Sequence, residues 1–267
     1  MSDLGRKSII VTGASSGFGY QIARRFLSEG KRVIAVARRE ERLKELANEF
    51  GDLVHIDVVD IRDMSAIERH LDDLPEDFKD IHCLVNNAGL SLGFGPAQLN
   101  SIDDWKTIVD TNINGLLYYT HCVLKLLSEK NSGHIINIGS IAAYYPYIGG
   151  NVYAASKAFV NSFSLNLKSD LSNTKIRVSC IAPGMSKTEF ALVRFKGDEV
   201  LANGLYEECD YLLAEDVAES VYWVYSLPPS VNVNVLELIS TGQSFSLGFN
   251  EKKKSGVAAP ESEISIA

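Results

Sequence analysis

Ser8-Ile9-Ile10-Val11-Thr12-Gly13-Ala14-Ser15-Ser16-Gly17-Phe18-Gly19 is the stretch that decides how this chain is read. Ser8 to Thr12 is a short strand, because Ile9, Ile10, Val11 and Thr12 are all β-branched. Glycines follow at once, and Ile22, Ala23, Phe26 and Leu27 then recur on one helical stripe that stops before Gly30. A strand, a glycine turn and a helix N-terminus in that order can hold a dinucleotide pyrophosphate against backbone N–H groups and the positive end of the helix dipole. Gly13 lets the chain turn tightly, Gly17 lets the backbone approach the phosphates, and Gly19 lets helix and strand pack closely. Glycines at a tight βα turn also occur without a nucleotide, and it is their place in the first βα unit that favours the nucleotide. Ser15, Ser16 and Phe18 join the three glycines as candidate cofactor contacts.

The same alternation continues along the chain. Strands are expected at Arg32–Ala37, Leu53–Asp57, Ile81–Val85, His134–Ile138, Lys175–Ala182 and Asn234–Ser240. Helices are expected at Glu40–Phe50, Met64–Leu71, Ile102–Leu127, Asn151–Leu171 and Glu215–Leu227. Strands that alternate with helices throughout predict an α/β fold, a single-domain doubly wound parallel sheet of Rossmann type with helices on both faces. The unbroken apolar run Val33-Ile34-Ala35-Val36 suits a sheet covered on both sides. One domain is expected over residues 1–250, with a polar, irregular insertion at about 185–213 that covers something, and a tail at 251–267.

Composition narrows the function. The 267 residues carry a net charge of -8 and 46% apolar residues, enough for one full core. The acidic balance and the absence of a long basic run argue against a nucleic-acid partner. No apolar run is long enough for a membrane span, and Met1 to Arg6 is polar with no signal segment. Cys83, Cys122, Cys180 and Cys209 are scattered through apolar contexts without a CxxC pair, as reduced thiols of a cytoplasmic protein would be. The five histidines show no metal-ligand spacing.

The end of the second strand bears on cofactor type. A carboxylate there would bind a ribose 2′-hydroxyl and repel a 2′-phosphate, but the sequence reads Ala37-Arg38-Arg39. Arg38 can take a 2′-phosphate through its guanidinium, with Ser15 beside it, which favours NADP over NAD. The alternative is a pair of solvated arginines in a βα loop.

Within the helix from Asn151, Tyr153 and Lys157 stand four residues apart and project from one face. Ala155, Phe159, Phe163, Leu167 and Leu171 are expected to form its buried stripe. An ammonium about 4.5 Å from the phenol, at an effective dielectric of about 20, would lower the phenol pKa by between two and three units. Alone, such a pair could equally be a solvated helix face.

Thr12-Gly13-x-x-x-Gly17-x-Gly19, Asn86-Asn87-Ala88-Gly89, Asn112, Ser140, Tyr153-x-x-x-Lys157 and Pro183-Gly184 together resemble the short-chain dehydrogenase/reductase family, over about Lys7 to Gln243. The resemblance implies that Tyr153 is the general acid of carbonyl reduction and the base of alcohol oxidation. Lys157 would lower its pKa and hold the nicotinamide ribose. Ser140 would hydrogen-bond the substrate oxygen, and Asn112 would position a water that extends the proton relay. Asp57 with Val58 would contact adenine, and Asn86, Ala88 and Gly89 would line the adenosine side. Pro183, Gly184, Ser186 and Thr188 would contact the nicotinamide. A homotetramer is also implied.

Asp80 to Leu90, Gly149 to Tyr153, and Thr188-Glu189-Phe190 with Val193 to Gly197 resemble most the NADP-dependent 3-hydroxy acid dehydrogenases, which act on serine, allo-threonine and 3-hydroxypropionate or malonic semialdehyde. A small hydroxy acid needs a cation for its carboxylate. Arg194 is the candidate, unless it is a solvated lid residue or sits in an internal salt bridge. Tyr147, Asn151 and Met185 are further substrate candidates. The aromatic run Tyr144-Tyr145-Pro146-Tyr147 keeps open a carbonyl reductase for a larger apolar ketone. A catalytically idle NADP-binding protein is the remaining alternative.

Overall fold

The computed structural model describes residues 7–207 and 210–245. Its strands are β1 (Ser8–Thr12), β2 (Arg32–Ala37), β3 (Val54–Val58), β4 (Ile81–Asn86), β5 (Gly133–Ile138), β6 (Ile176–Pro183) and β7 (Val235–Leu238). They form one parallel sheet in the order β3-β2-β1-β4-β5-β6-β7. The helices are α1 (Gly17–Ser28), α2 (Glu40–Phe50), α3 (Met64–Asp72), α4 (Ile102–Val109), α5 (Leu116–Lys130), α6 (Asn151–Asp170), α7 (Phe190–Arg194), α8 (Glu199–Glu207) and α9 (Ala214–Ser226).

Successive side chains of a strand point to opposite faces, so β1 feeds two cores. Ile9 and Val11 pack with Phe26 of α1, Leu43 of α2 and Val221 of α9, while Ile10 packs with Ile67 of α3, Tyr119 of α5 and Leu167 of α6. Burying each such aliphatic side chain is worth about 1.5–3 kcal/mol, so the two cores lock the helices onto both faces. Strand order reverses between β1 and β4, which leaves a crevice above their C-terminal ends. No helix among the described residues is long and apolar enough to cross a membrane. Cys83, Cys122 and Cys180 are free and buried, and Cys209 lies outside the described residues, as does the 251–267 tail.

Four expectations need correction. The third strand runs to Val58 rather than ending at Asp57, because Val58 still pairs with Ala37 of β2. The long helix is interrupted by a π-helical turn at Asp110–Gly115, which places Asn112 at a bulge of the kind found at functional sites. The insertion at 185–213 is not irregular throughout, since it contains α7 and α8. Of the expected stripe of α6, Leu167 and Leu171 are buried and Phe159 and Phe163 are partly buried and stacked on each other, but Ala155 is exposed and the rest of the buried face is Ser156, Lys157, Val160 and Ser164. A polar stripe can be buried there because its hydroxyls are satisfied: Ser156 accepts from Asn112 and Ser164 from Asn137.

Candidate active site

A cleft of about 640 Å³ lies over the crevice and runs from Arg38 and Arg39 at one end to Arg194 at the other. Its floor is the glycine turn. Gly13 (φ 69°) and Gly17 (φ 52°) hold left-handed conformations that disfavour a side chain. Gly19 is needed for packing: a β-carbon there would strike the Gly13 carbonyl and the Asn87 side chain. Asn87 fastens β4 to β1, its Nδ2 donating to the Thr12 carbonyl at 2.9 Å, while the Asn87 and Ala88 backbone amides both donate to Thr12 Oγ1 at 3.1 Å. Ala88 and Gly89 line the cleft. Asn86 does not. It is buried beneath the floor, donating to Thr120 Oγ1 and Asn137 Oδ1 at 2.9 Å each. The sequence reading placed Asn86 in the site and gave its neighbour Asn87 no role.

At the arginine end of the cleft the two side chains are held differently. Arg39, not Arg38, engages Ser15, with Nε donating to Ser15 Oγ at 3.2 Å and a terminal nitrogen to Ser16 Oγ at 2.7 Å. Arg38 lines the same end, is exposed, and makes no hydrogen bond or close ion pair among the described residues. Asp57 and Val58 are not in the cleft. The Asp57 carboxylate is paired with His55 Nε2 of the same strand at 3.0 Å and with His70 Nδ1 of α3 at 2.7 Å. The chain leaves the sheet one residue later than expected, so Asp60 and Ile61 line the cleft instead. The apolar pair Val58-Val59 beyond Asp57 was the available signal that the strand continues.

Above the centre, Ser140, Tyr153 and Lys157 meet. Ser140 leaves β5, accepts from the Ala142 amide at 3.1 Å and hydrogen-bonds the Tyr153 phenol. The phenol and ammonium lie in the same cleft, with Lys157 Nζ at 5.9 Å from the Tyr153 ring centre. Lys157 Nζ donates to the Ile138 carbonyl at 2.8 Å, and burial brings its pKa down from 10.5 to about 8. Burial pushes the Tyr153 phenol well above its usual value and Tyr147 adds to the rise, against the Ser140 hydrogen bond and the Arg194 charge. The ammonium faces the Ile138 carbonyl, and burial is the largest influence on both groups. Asn112 is buried behind this group, its Oδ1 accepting from Leu90 N at 2.8 Å and its Nδ2 donating to Leu90 O at 2.9 Å and Ser156 Oγ at 3.0 Å. A β-carbon on Gly89 would sit 3.3 Å from Asn112 Oδ1 and 3.5 Å from Lys157 Nζ, so this glycine leaves room for both.

Pro183, Gly184, Met185, Ser186 and Thr188 line the next part of the cleft. Residues 186–207 then cross over it as a lid. Phe190 packs on the Tyr153 ring at 5.4 Å, and Lys196 pairs with Asp104 of α4 at 2.8 Å. Arg194 is buried at 7% exposure on α7. It donates to Gly149 O at 3.1 Å, Tyr147 Oη at 3.2 Å and Gly93 O at 3.4 Å, between the rings of Phe94 and Tyr147. No carboxylate pairs with it among the described residues. Asn151 does not line the cleft, because its Oδ1 accepts from the Val152 amide at the start of α6. Tyr144 and Tyr145 also lie outside, donating to Asn161 at 2.7 Å and Glu237 at 3.2 Å. Of the run Tyr144 to Tyr147, Pro146 and Tyr147 line the cleft, together with the next residue, Ile148.

The model of the short chain dehydrogenase family matches residues 7–198. The chain belongs to this family. It is 52% identical over 238 residues to the NADP-dependent 3-hydroxy acid dehydrogenase YdfG of Shigella flexneri, covering 89% of this chain and 96% of that protein. It is 49% identical over 248 residues to the serine 3-dehydrogenase of Agrobacterium fabrum, covering 93% and 99%. A solved closed form of serine dehydrogenase complexed with NADP+ matches with a TM-score of 0.88 at 51% identity, covering 91% of this chain and 98% of that one.

The cleft fits a phosphorylated dinucleotide. The glycine turn leaves backbone N–H groups clear of side chains, Arg38 and Arg39 with Ser16 stand where a 2′-phosphate would lie, and Pro183 to Thr188 with Lys157 border the opposite end.

Proposed function

We propose that the protein is an NADP-dependent oxidoreductase acting on the CH–OH group of small 3-hydroxy acids, of the serine, allo-threonine and 3-hydroxypropionate class, with Tyr153 as the acid/base. The observation that carries this proposal is Arg194, a buried guanidinium at the substrate end whose partners are two carbonyls and a phenol. A buried cation without an anion is costly, and a substrate carboxylate would offset that cost. A guanidinium has five N–H groups, and the three bonds to neutral acceptors leave two for a bidentate grip.

NADP, when bound, supplies the hydride donor or acceptor. The chain holds and protonates the substrate. Arg194 fixes the carboxylate, with Tyr147 and Met185 as walls, while Ser140 and Tyr153 meet the oxygen on the reacting carbon. The raised pKa keeps the phenol protonated at neutral pH, ready to give its proton to an oxyanion in the reductive direction. Oxidation needs the phenolate and so should quicken with rising pH. Lys157, near pKa 8, can carry the proton onward, and Asn112 orders the Leu90 backbone beside it.

Kinetics on serine, 3-hydroxypropionate and a bulky apolar ketone, each with NADP(H) and NAD(H), test the proposal. It requires the highest kcat/KM on a hydroxy acid with NADP and a loss of turnover in Tyr153→Phe with NADPH binding retained. Preference for the ketone, or undiminished turnover in Tyr153→Phe, would refute it. The accompanying homotetramer is tested by light scattering.

A further inference from the structure

We infer that Glu189, at the lid's entry into α7, sets the degree of preference for a 2′-phosphorylated nucleotide by competing with that phosphate for Arg39. The inference rests on the NADP assignment above and adds a residue on the opposite wall of the cleft.

The geometry is specific. Glu189 Oε2 accepts from Arg39 at 3.0 Å, and its Oε1 lies 3.6 Å from Arg42. The preceding residue, Thr188, sits over the glycine turn, where a β-carbon on Gly17 would lie 3.3 Å from its Cβ. The following residue, Phe190, packs on Tyr153. One three-residue stretch of the lid thus touches the phosphate turn, the arginine corner after β2 and the acid/base phenol.

All three nitrogens of Arg39 are engaged, by Ser15, Ser16 and Glu189. Two of those partners are neutral, and Glu189 is the anion. A 2′-phosphate that draws on Arg39 must take the place of this carboxylate or lie against its negative charge. Arg38, which has no carboxylate within 4.0 Å among the described residues and feels Asp60 only from farther away, supplies the compensating attraction. A nucleotide with only a 2′-hydroxyl meets no such repulsion. Glu189 therefore lowers affinity for the phosphorylated nucleotide selectively. The pair is partly exposed, with side-chain accessibilities of 50% for Arg39 and 39% for Glu189, so its effect is modest. Exposed pairs of this kind correspond to about a two- to five-fold change in binding.

The same ion pair ties the start of α7 to the body of the protein, and Lys196 with Asp104 ties its far side. Removing the Glu189 charge should loosen the first tie and leave the second.

The test uses the full chain, titrated with NADPH and with NADH by nucleotide fluorescence, as wild type, Glu189→Gln and Glu189→Asp. Glu189→Gln should bind NADPH about two- to five-fold more tightly with NADH unchanged, and Glu189→Asp should keep a ratio close to wild type. The gain should shrink at about 1 M salt, where screening acts over roughly 3 Å. Amide exchange in residues 190–194 of the nucleotide-free protein should rise in Glu189→Gln. Wild-type protein that does not favour NADPH over NADH overturns the cofactor assignment itself. Wild-type protein that favours NADPH, with a ratio that Glu189→Gln leaves unchanged or lowers, overturns the role given to Glu189. Equal tightening of both nucleotides overturns it as well.

Discussion

Replacing Arg194 by methionine removes the charge but keeps an unbranched side chain of similar reach between the Phe94 and Tyr147 rings, which lie 4.9 and 5.4 Å from the guanidinium carbon. The variant gives up three hydrogen bonds to neutral acceptors, a cost felt equally with every substrate. On the proposed function, what it loses selectively is the contact with a substrate carboxylate. A charge-assisted hydrogen bond is worth about 1.5–3 kcal/mol, so kcat/KM for 3-hydroxypropionate should fall roughly ten- to 150-fold. The neutral isostere 3-hydroxypropionamide separates the two effects, since its kcat/KM should change by less than about three-fold. Initial rates followed by nicotinamide absorbance, with NADPH affinity measured in parallel, give the comparison. Arg194→Lys keeps the charge without the planar fork and should fall between wild type and methionine. If acid and amide lose the same factor, Arg194 only braces the lid against Gly93 and Gly149. If neither changes, it has no part in substrate binding.

Three further outcomes follow from the geometry. Lys157→Met should abolish turnover yet stabilise the fold. The drop from 10.5 to about 8 corresponds to about 3 kcal/mol of penalty on the ammonium, less about 1 kcal/mol for the bond to Ile138, or a Tm rise of roughly 3–8 °C at pH 7. The sign is set by linkage: the penalty is complete below the folded value near 8, and wild-type stability recovers as pH rises from there to 10.5, so the Tm gap should close across that window. Gly19→Ala and Gly51→Ala separate packing from backbone conformation. At Gly51 (φ 55°) nothing lies within 4 Å and the cost is about 1 kcal/mol of left-handed strain, whereas at Gly19 the β-carbon meets Gly13 and Asn87, so stability and NADPH binding should both fail. Thermal melts with nucleotide titration distinguish them. Asp60→Asn should change NADPH affinity, while Asp57→Asn should leave it unchanged and cost stability at neutral pH. The histidines counter the desolvation of the Asp57 carboxylate and hold its pKa below 3.8, so its contribution is present above that value and lost as pH falls further. Equal effects of the two on nucleotide affinity would undo the assignment of Asp60 to the cleft.

Much of the site could be read along the chain because its chemistry depends on local spacing. Gly13, Gly17 and Gly19 lie within one turn, and Tyr153 and Lys157 are one helical turn apart, so secondary structure alone brings each set together. The errors fell at the ends of strands. Asp57 is still inside the strand and the cleft is reached only by Asp60, three residues on, while Asn86 ends β4 and is buried against Thr120 and Asn137, leaving the next residue, Asn87, to reach the glycine turn. On α6 the leucines are buried as the periodicity predicts, but Ser156 and Ser164 look like solvent-facing residues until Asn112 and Asn137 arrive from other elements to satisfy them.

By itself the sequence determined the doubly wound sheet and the nucleotide turn and set Tyr153 and Lys157 on one helix, since strand and helix periodicities and short glycine spacings are properties of neighbours in the chain. Only the tertiary structure decided which arginine meets Ser15, how Tyr153 and Lys157 are charged, and that Arg194 is buried without a counter-ion. Those outcomes depend on groups as far apart in sequence as Arg39 and Glu189, and on how much water the surrounding segments leave around them, which no local pattern records.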